Sequence, residues 1–181
     1  MEAFFNAIFY TFTFLALYVQ VFFLVTYFER RKDIVVKLDD RPDRDYPAVT
    51  VVVPCWNEES TVKGTVDSLL ALDYPKDKLF ITIVDDGSTD NTWSVLQQFA
   101  HIPNIELIKK ENGGKHTAMN LAIEQSKTEF ISCLDADSFV TPLALKRMMP
   151  YFDEPSVMAV SPSIVVKDPK KLIEWAQKVE Y

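Results

Sequence analysis

The sequence predicts an α/β domain, a Rossmann-like, mostly parallel sheet with helices on both faces, preceded by one N-terminal transmembrane helix. Three observations predict it: an uncharged N-terminal stretch, apolar runs of strand length that alternate with segments of helical periodicity, and polar clusters that directly follow three of these runs. We divide the chain into a transmembrane helix at residues 3–28, a basic and charged linker at 29–47 and the α/β domain at 48–181.

The uncharged stretch, residues 3–28, would measure about 39 Å as a helix, which is longer than the hydrocarbon core of a bilayer. A signal peptide is the competing interpretation, but no basic segment precedes the stretch and no small-residue cleavage site follows it. Glu29, Arg30, Arg31 and Lys32 come directly after it, which makes this end of the stretch basic. The positive-inside rule therefore places the domain that follows on the cytoplasmic side of the cell membrane.

The composition argues against nucleic acid as a partner. The chain of 181 residues has a net charge of -7, and nucleic-acid binding requires a clustered excess of Lys and Arg. A phosphate-containing ligand would need a metal ion or a few local cations. Cys55 and Cys133 lie in or just after apolar runs far apart in the chain, so we expect both to be reduced core residues, as in the cytosol.

The alternating pattern begins near residue 48. Apolar runs of strand length occupy residues 49–53, 80–84, 105–108 and 130–134. A segment with helical spacing follows each run, which predicts βαβ units and a parallel sheet buried on both faces. Thr141 and Pro142 are typical of a helix start and predict a helix over residues 143–151. A last helical segment runs from Pro169 to Tyr181, and because it is still periodic there we expect the chain to be a fragment.

Three polar clusters follow the first, second and fourth predicted strands: PCWNEES, DDGSTDNT and DADS. Ligands of an open parallel sheet bind at the carboxyl ends of its strands, so we expect the clusters to meet at one rim. In an extended backbone Asp135 and Asp137 point to the same side. Two converging carboxylates suit Mg²⁺ or Mn²⁺ shared with a diphosphate. The alternative is a solvated acidic turn that caps the next helix.

Two further features concern anions and hydrogen-bond donors. Asp85 and Asp86 should point to opposite sides of a strand end, so that one of them can accept hydrogen bonds from a nucleobase or a ribose. Gly113 and Gly114 precede a predicted helix whose N-terminal N–H groups attract anions, with Lys115 at that opening. The alternative for Lys115 is an ordinary solvated lysine. Neither a Walker A loop nor a G-x-G-x-x-G segment occurs.

The segments VVVPCWNEES, IVDDGSTDNT, NGGKHTAMN and CLDADS, in this order, resemble the donor half of family 2 glycosyltransferases with the GT-A fold, over about residues 48–166. The GGKxxAxN segment and the closing VEY resemble the polysaccharide-synthase branch, which includes the cellulose, chitin, hyaluronan and poly-N-acetylglucosamine synthases. The resemblance implies an inverting transfer of a hexosyl or N-acetylhexosaminyl group from a nucleotide-diphosphate sugar, with a UDP-sugar expected. The acceptor would be a growing polysaccharide, another glycan or a lipid-linked acceptor, and the cofactor would be Mg²⁺ or Mn²⁺.

The resemblance also implies the residues of the site. Its nucleotide-binding residues would be Pro54, Asn57, Glu58, Asp85, Asp86, Lys115 and Asp135. The first three would line the nucleobase pocket, one of the paired aspartates would hold the uridine, and Lys115 would approach the nucleotide. Asp135 would contact the donor sugar or the ribose, and Asp137, with Asp135, would ligate the metal ion.

One role stays unfilled in this resemblance. The catalytic base of the family is an Asp in a later E-D or T-E-D motif, followed in the synthases by Q-x-x-R-W, and none of these occurs before Tyr181. We therefore expect the base beyond Tyr181 and an incomplete GT-A domain at residues 48–181. Two alternatives stay open: a polyprenyl-phosphate glycosyltransferase, and a membrane-tethered protein that binds a nucleotide sugar without turnover.

Overall fold

The computed structural model describes residues 1–34 and 44–165. It forms two compact units, Met1–Leu38 and Asp39–Tyr181, which are described separately. Residues 35–43 of the predicted linker and the predicted C-terminal helix lie outside the described residues.

The described part of the first unit contains one uninterrupted helix, α1, which spans Glu2–Ile34. Its segment Glu2–Glu29 is long and apolar enough to cross a membrane, as predicted. Thr11 donates its hydroxyl hydrogen to a carbonyl one turn earlier at 2.8 Å, so this polar side chain is satisfied inside the helix. The helix continues through residues 29–34, which were expected to be linker. No glycine or proline interrupts that segment, and its residues are compatible with a helix.

The second unit is built on four parallel strands in the order β3-β2-β1-β4. The strands are β1 (Val49–Cys55), β2 (Leu79–Asp86), β3 (Ile105–Lys110) and β4 (Phe130–Cys133). All four predicted strands are therefore confirmed. β1 and β2 pair in parallel from Val49↔Leu79 to Cys55↔Asp85, so the two strands end at the same position along the sheet. This register places the first and second polar clusters side by side.

The helices of this unit are α2 (Val62–Leu70), α3 (Thr92–Leu96), α4 (Lys115–Gln125) and α5 (Ala144–Met148). α5 continues as a 3-10 turn, Met149–Asp153. The helix predicted over residues 143–151 is confirmed, but its predicted cap was wrong: the N-cap is Leu143, not Thr141, and it makes no side-chain hydrogen bond. The carbonyl of Pro142 accepts the N–H of Asp73 at 2.9 Å, which ties this segment to the loop after α2 before the helix begins.

Helices cover both faces of the sheet, as predicted. Side chains alternate along β1, so that Val51 and Val53 lie in the main core beneath α2 and α3. Val52 lies in a second core against Ala118 and Ala122 of α4. Every residue of β1 is buried, and each fully buried apolar side chain of this size contributes about 1.5–3 kcal/mol. The two central strands thus form a rigid base for the loops that follow them.

The expectation that Cys133 is a core residue was wrong, because its side chain is exposed, whereas Cys55 is buried as predicted. β4 is an edge strand of the described sheet, and its residues alternate between partly buried and exposed. An apolar run of strand length predicts a strand, but it does not tell an edge strand from a central one. Both cysteines are free thiols, as expected.

Candidate functional site

A cavity of about 460 Å³ opens at the carboxyl ends of β1, β2 and β4. It is lined by residues of all four sequence motifs. The predicted site residues that it brings together are Pro54, Glu58, Asp86, Lys115, Asp135 and Asp137. The convergence arises because parallel strands in register end at one edge, and each motif directly follows a strand or begins a helix at that edge.

Asp86 is the carboxylate of β2 that faces the cavity, and its side chain is only 4% exposed. It accepts the backbone N–H groups of Gly113 at 3.1 Å and Gly114 at 2.8 Å, and Nζ of Lys110 donates to it at 2.5 Å. Burial would raise the pKa of Asp86, but these hydrogen bonds outweigh burial and lower it. The anion bound just before α4 is therefore the protein's own ionised carboxylate.

Asp85 lies on the opposite side of β2 and is fully buried, so it does not line the cavity. One of its oxygens accepts the N–H of Ser88 at 2.9 Å, and the other has no hydrogen-bond partner among the described residues. Across the β1–β2 pair lies Cys55, whose thiol donates to the carbonyl of Val84 at 3.4 Å. Burial, and then the charge of Asp85, raise the pKa of Cys55 to about 12, so this thiol is neutral.

Residues 57–59, which follow β1, and residues 88–92, which follow β2, are joined by hydrogen bonds into what we call the loop clasp. Asn57 has a positive φ of 57° and donates its N–H to the hydroxyl of Ser88 at 2.9 Å. Its side-chain carbonyl accepts the N–H of Thr89 at 2.8 Å. The Asn57 side chain therefore holds the second loop and does not line the cavity.

The loop clasp also orients Glu58, which does line the cavity. The N–H of Glu58 donates to the hydroxyl of Thr92 at 2.8 Å. Beside it, the N–H of Glu59 donates to Asp90 at 3.2 Å. Burial works against ionisation of Asp90, but hydrogen bonds from Thr92 and Glu59 outweigh it and lower the pKa. Asp90 is thus an ionised acceptor that holds both loops.

Asp135 and Asp137 are exposed and line the same cavity. The backbone between them forms a turn and is not extended as predicted. The N–H of Ser138 donates to the carbonyl of Asp135 at 3.0 Å within that turn. Ala136 is buried between them, and its carbonyl accepts the hydroxyl of Thr65 of α2 at 2.8 Å. The contact with α2 therefore fixes the backbone from which both carboxylates project.

Lys115 is the first residue of α4 and forms an ion pair with Asp135 at the cavity. The hydrogen bond that Lys115 donates to Asp135 raises the pKa of Lys115, so the ammonium stays charged. Both side chains are more than half exposed, at 57% and 54%. An ion pair this exposed is worth about 0–1 kcal/mol, so a bound diphosphate can compete for the ammonium.

Asp135 and Asp137 could bind a divalent cation only together with ligands from outside the protein. Among the described residues, no group of three or more His, Cys, Asp and Glu side chains could hold a metal ion. Mg²⁺, however, is commonly bound through one or two carboxylates together with substrate phosphates and water. Asp135 and Asp137 supply two such oxygen ligands beside a cavity that also contains Lys115. The donor set therefore fits a cation that arrives with a phosphate ligand.

Two residues that sequence reasoning missed also line the cavity, Trp56 and Asn112. Trp56 is 55% exposed, and a tryptophan within a polar motif is a signal that the sequence contains, since tryptophan is mostly buried in proteins. Asn112 lies against Gly87, where a Cβ atom would be 2.6 Å from the Asn112 backbone nitrogen. Such a close approach of two loops has no signature in residue spacing.

Similarity to known sequences follows the same motifs. The family model for glycosyl transferase family 2 matches residues 50–180. The chain is 30% identical, over 98% of its length, to the poly-beta-1,6-N-acetyl-D-glucosamine synthase of Staphylococcus aureus, of which it covers 43%. It is 35% identical to the beta-monoglucosyldiacylglycerol synthase of Synechocystis, covering 64% of this chain and 25% of that protein. The chain thus spans less than half the length of these curated relatives.

Solved structures match the fold. The mannosyltransferase PcManGT from Pyrobaculum calidifontis, in complex with GDP-Man and Mn²⁺, gives a TM-score of 0.61 at 31% identity, covering 74% of this chain and 41% of that one. TarS 1-349 from S. aureus, in complex with UDP-GlcNAc, gives a TM-score of 0.56 at 25% identity. The match covers 67% of this chain and 38% of that one. The domain therefore has the GT-A fold of nucleotide-sugar transferases. The chain belongs to glycosyl transferase family 2, and the resemblance to its polysaccharide-synthase branch is confirmed.

Proposed function

We propose that this chain binds the donor of an inverting glycosyltransferase, that the donor is a UDP-sugar, and that Mg²⁺ or Mn²⁺ accompanies it. The observation that carries the proposal is a single cavity that joins the ionised Asp86 to Lys115 and to the pair Asp135 and Asp137. The similarity to transferases solved with GDP-Man and UDP-GlcNAc supports a nucleotide-sugar donor.

Asp86 is the proposed nucleoside contact. A carboxylate has about four acceptor sites, and Lys110, Gly113 and Gly114 occupy three of them. The one remaining site suits the single imide N–H of uracil better than the two adjacent N–H donors of guanine. Uridine is therefore favoured over guanosine. The exposed ring of Trp56 offers a face on which the base can stack, and such stacking is worth about 1–3 kcal/mol.

Other motif residues complete the nucleoside end. Pro54 and Glu58 line the cavity and would contact the base. Asn57 and Asp85 would act indirectly, because the first holds the loop clasp and the second is buried behind the cavity wall. Asp135 would reach the ribose or the donor sugar.

The diphosphate is proposed to lie between Lys115 and Asp137. The two exposed carboxylates would repel it unless a cation lay between them, so Asp135 and Asp137 would hold the divalent ion. That ion, when bound, would neutralise charge on the departing diphosphate. Lys115 would exchange Asp135 for a phosphate oxygen. The acceptor hydroxyl would attack from the opposite face of the sugar, assisted by a base outside the described residues, and this geometry inverts the anomeric carbon.

A growing polysaccharide is the proposed acceptor. The similarity to the polysaccharide synthase extends over 98% of the chain, whereas that to the glycolipid synthase covers 64%. The segment Glu2–Glu29 of α1 would anchor the protein in the cell membrane. The basic residues directly after this segment would place the catalytic domain on the cytoplasmic side.

Calorimetric titration of UDP into the full chain in lipid nanodiscs, with and without Mn²⁺, tests the donor site. We expect UDP to bind, Mn²⁺ to strengthen the binding, and GDP to bind more weakly under the same conditions. Circular dichroism of the same sample establishes that the chain is folded. A folded chain that binds neither nucleotide in the presence of Mn²⁺ would refute the donor site.

A further inference from the structure

We propose that Lys110 is a positioning residue of the donor site, which holds Asp86 in the orientation that leaves one acceptor site directed at the nucleoside. The inference rests on the proposed function, because it takes Asp86 as the nucleoside contact. Lys110 does not itself line the cavity, so any effect on the donor must pass through its partners.

The position of Lys110 follows from the sheet. It is the last residue of β3 and is in register with Asp86 at the end of β2. Its ammonium donates to the Asp86 carboxylate at 2.5 Å, to the hydroxyl of Thr117 at 2.9 Å and to the carbonyl of Glu111 at 2.5 Å. An ammonium has three N–H donors, so all three are used and their directions are set. The Lys110 side chain is only 22% exposed.

These contacts form a closed network around the carboxylate. Gly113 and Gly114 donate their N–H groups to Asp86, and the hydroxyl of Thr117 donates to the carbonyl of Gly114 at 2.9 Å while it accepts from Lys110. A Cβ atom at Gly113 would lie 2.7 Å from the Thr117 hydroxyl and 3.1 Å from Nζ of Lys110. The network therefore requires a glycine there, and it ties Asp86 to the first turn of α4.

Removing the ammonium would leave Asp86 with two backbone donors and no charged partner. The two N–H groups bond to one carboxylate oxygen each, and the ammonium adds a second bond to the oxygen that Gly113 contacts, so without it two bonds in place of three would restrain the carboxylate. A carboxylate that becomes ordered only when the ligand binds lowers the affinity, because its ordering costs free energy. A carboxylate that the protein already holds in place avoids that cost. The loss should therefore concern the nucleoside and leave the diphosphate end unchanged.

The test compares two ligands, UDP and inorganic pyrophosphate, both with Mn²⁺, on the full chain in nanodiscs. Lys110→Met removes the charge and keeps most of the apolar stem. We expect it to bind UDP about tenfold more weakly and pyrophosphate as tightly as the wild type does. Lys110→Arg, which keeps the charge with a different donor geometry, should recover part of the UDP affinity.

Lys109→Met is the matched control. Lys109 is the preceding residue of β3, is exposed, and lies with its ammonium 5.4 Å from the centre of the Trp93 ring, away from the cavity lining. Lys109→Met should bind both ligands as the wild type does. If Lys110→Met does not fold, as judged by circular dichroism, Thr117→Val replaces it, since it removes one anchor of the ammonium and should weaken UDP selectively.

Three results would overturn the inference. Unchanged UDP affinity in the folded Lys110 variant would remove the positioning role and leave the donor site standing. An equal loss of affinity for UDP and for pyrophosphate would show that the substitution disturbs the whole site and not the nucleoside contact alone. A wild-type chain that binds pyrophosphate but not UDP would refute the proposed donor, and the inference with it.

Discussion

The two walls of the proposed donor cavity differ in how many hydrogen bonds hold them. On the wall formed by β1 and β2, the loop clasp joins residues 57–59 to 88–92 through bonds in both directions, and three donors hold Asp86. On the wall formed by the turn after β4, Asp135 and Asp137 are exposed. In the described part of the chain, their carboxylates bond only to Lys115 and to the hydroxyl of Ser138.

This difference indicates how the site is completed. The wall formed by β1 and β2, which we call the nucleoside wall after its proposed ligand, has its bonds before a ligand arrives, so binding there costs little ordering. The wall formed by the turn after β4, which we call the diphosphate wall after its proposed ligand, presents two like charges that need a positive partner, which a cation and Lys115 can provide. Substitutions on the nucleoside wall should therefore change folding stability as well as binding. Substitutions on the diphosphate wall should change binding alone.

The largest expected effect is on the diphosphate wall. Asp137→Ala should lower the affinity for UDP in the presence of Mn²⁺ by at least about 100-fold, because one of the two proposed metal ligands is lost. The melting temperature should not change, since Asp137 is exposed and its one described bond, to Ser138, is long at 3.3 Å. Calorimetry and thermal circular dichroism measure the two quantities.

Asp67→Ala is the control for that variant. Asp67 is an exposed acid of α2 that pairs with Lys63 and does not line the cavity, so its removal should leave UDP affinity unchanged. A large drop in the melting temperature of Asp137→Ala would contradict the comparison, because it would mean that the turn after β4 depends on that carboxylate for its folding.

A smaller effect is expected at Gly87, on the nucleoside wall. Gly87 has a φ of 74°, and a Cβ atom there would lie 2.6 Å from the backbone nitrogen of Asn112. Because backbone cannot move aside cheaply, Gly87→Ala should lower the free energy of unfolding by about 1–3 kcal/mol. UDP binding should weaken as well, since Asn112 lines the cavity. Urea denaturation and calorimetry measure both changes.

Gly64→Ala is the matched control, because the added Cβ atom would come equally close to a neighbour that is a side chain and not backbone. A Cβ atom there would lie 2.7 Å from the ring of Phe139, whose side chain is 45% exposed and can shift. Alanine is also favoured over glycine inside a helix by about 0.5–1 kcal/mol. Stability should be unchanged or higher. Equal losses in both alanine variants would show that Phe139 is as immobile as the backbone of Asn112.

The smallest expected effect is the pH dependence of Asp86. Its pKa in the folded protein lies below the ordinary value of 3.8, so the ionised form is favoured by folding. The stabilisation is therefore complete well above that ordinary value and is lost as the pH falls through the depressed pKa. Wild type should be more stable than Asp86→Asn at neutral pH, and urea midpoints should converge only below about pH 4. A constant difference down to about pH 2 would contradict this.

Local patterns in the sequence predicted much of the fold. The four strands, the helices on both faces and the meeting of the acidic motifs follow from apolar periodicity and from the shared edge of parallel strands. Cys133 was misplaced because the same periodicity occurs in edge and central strands. The N-cap of α5 was wrongly predicted at Thr141, in a segment where the carbonyl of Pro142 accepts the N–H of the distant Asp73 and the helix begins only after Leu143.

The sequence by itself determined that a pair of adjacent aspartates ends β2 and that the two point to opposite sides, because side chains alternate along a strand, so that one of them was expected at the cavity. Only the tertiary structure decided that it is Asp86, since β3 brings Lys110 beside it and the loop before α4 brings two N–H groups. The tertiary structure also decided that the Asn57 side chain does not line the cavity, because it accepts the N–H of Thr89 in the neighbouring loop. Residue identity determines what a side chain can bind, but its partners lie far away in the chain, and only folding brings them within hydrogen-bonding distance.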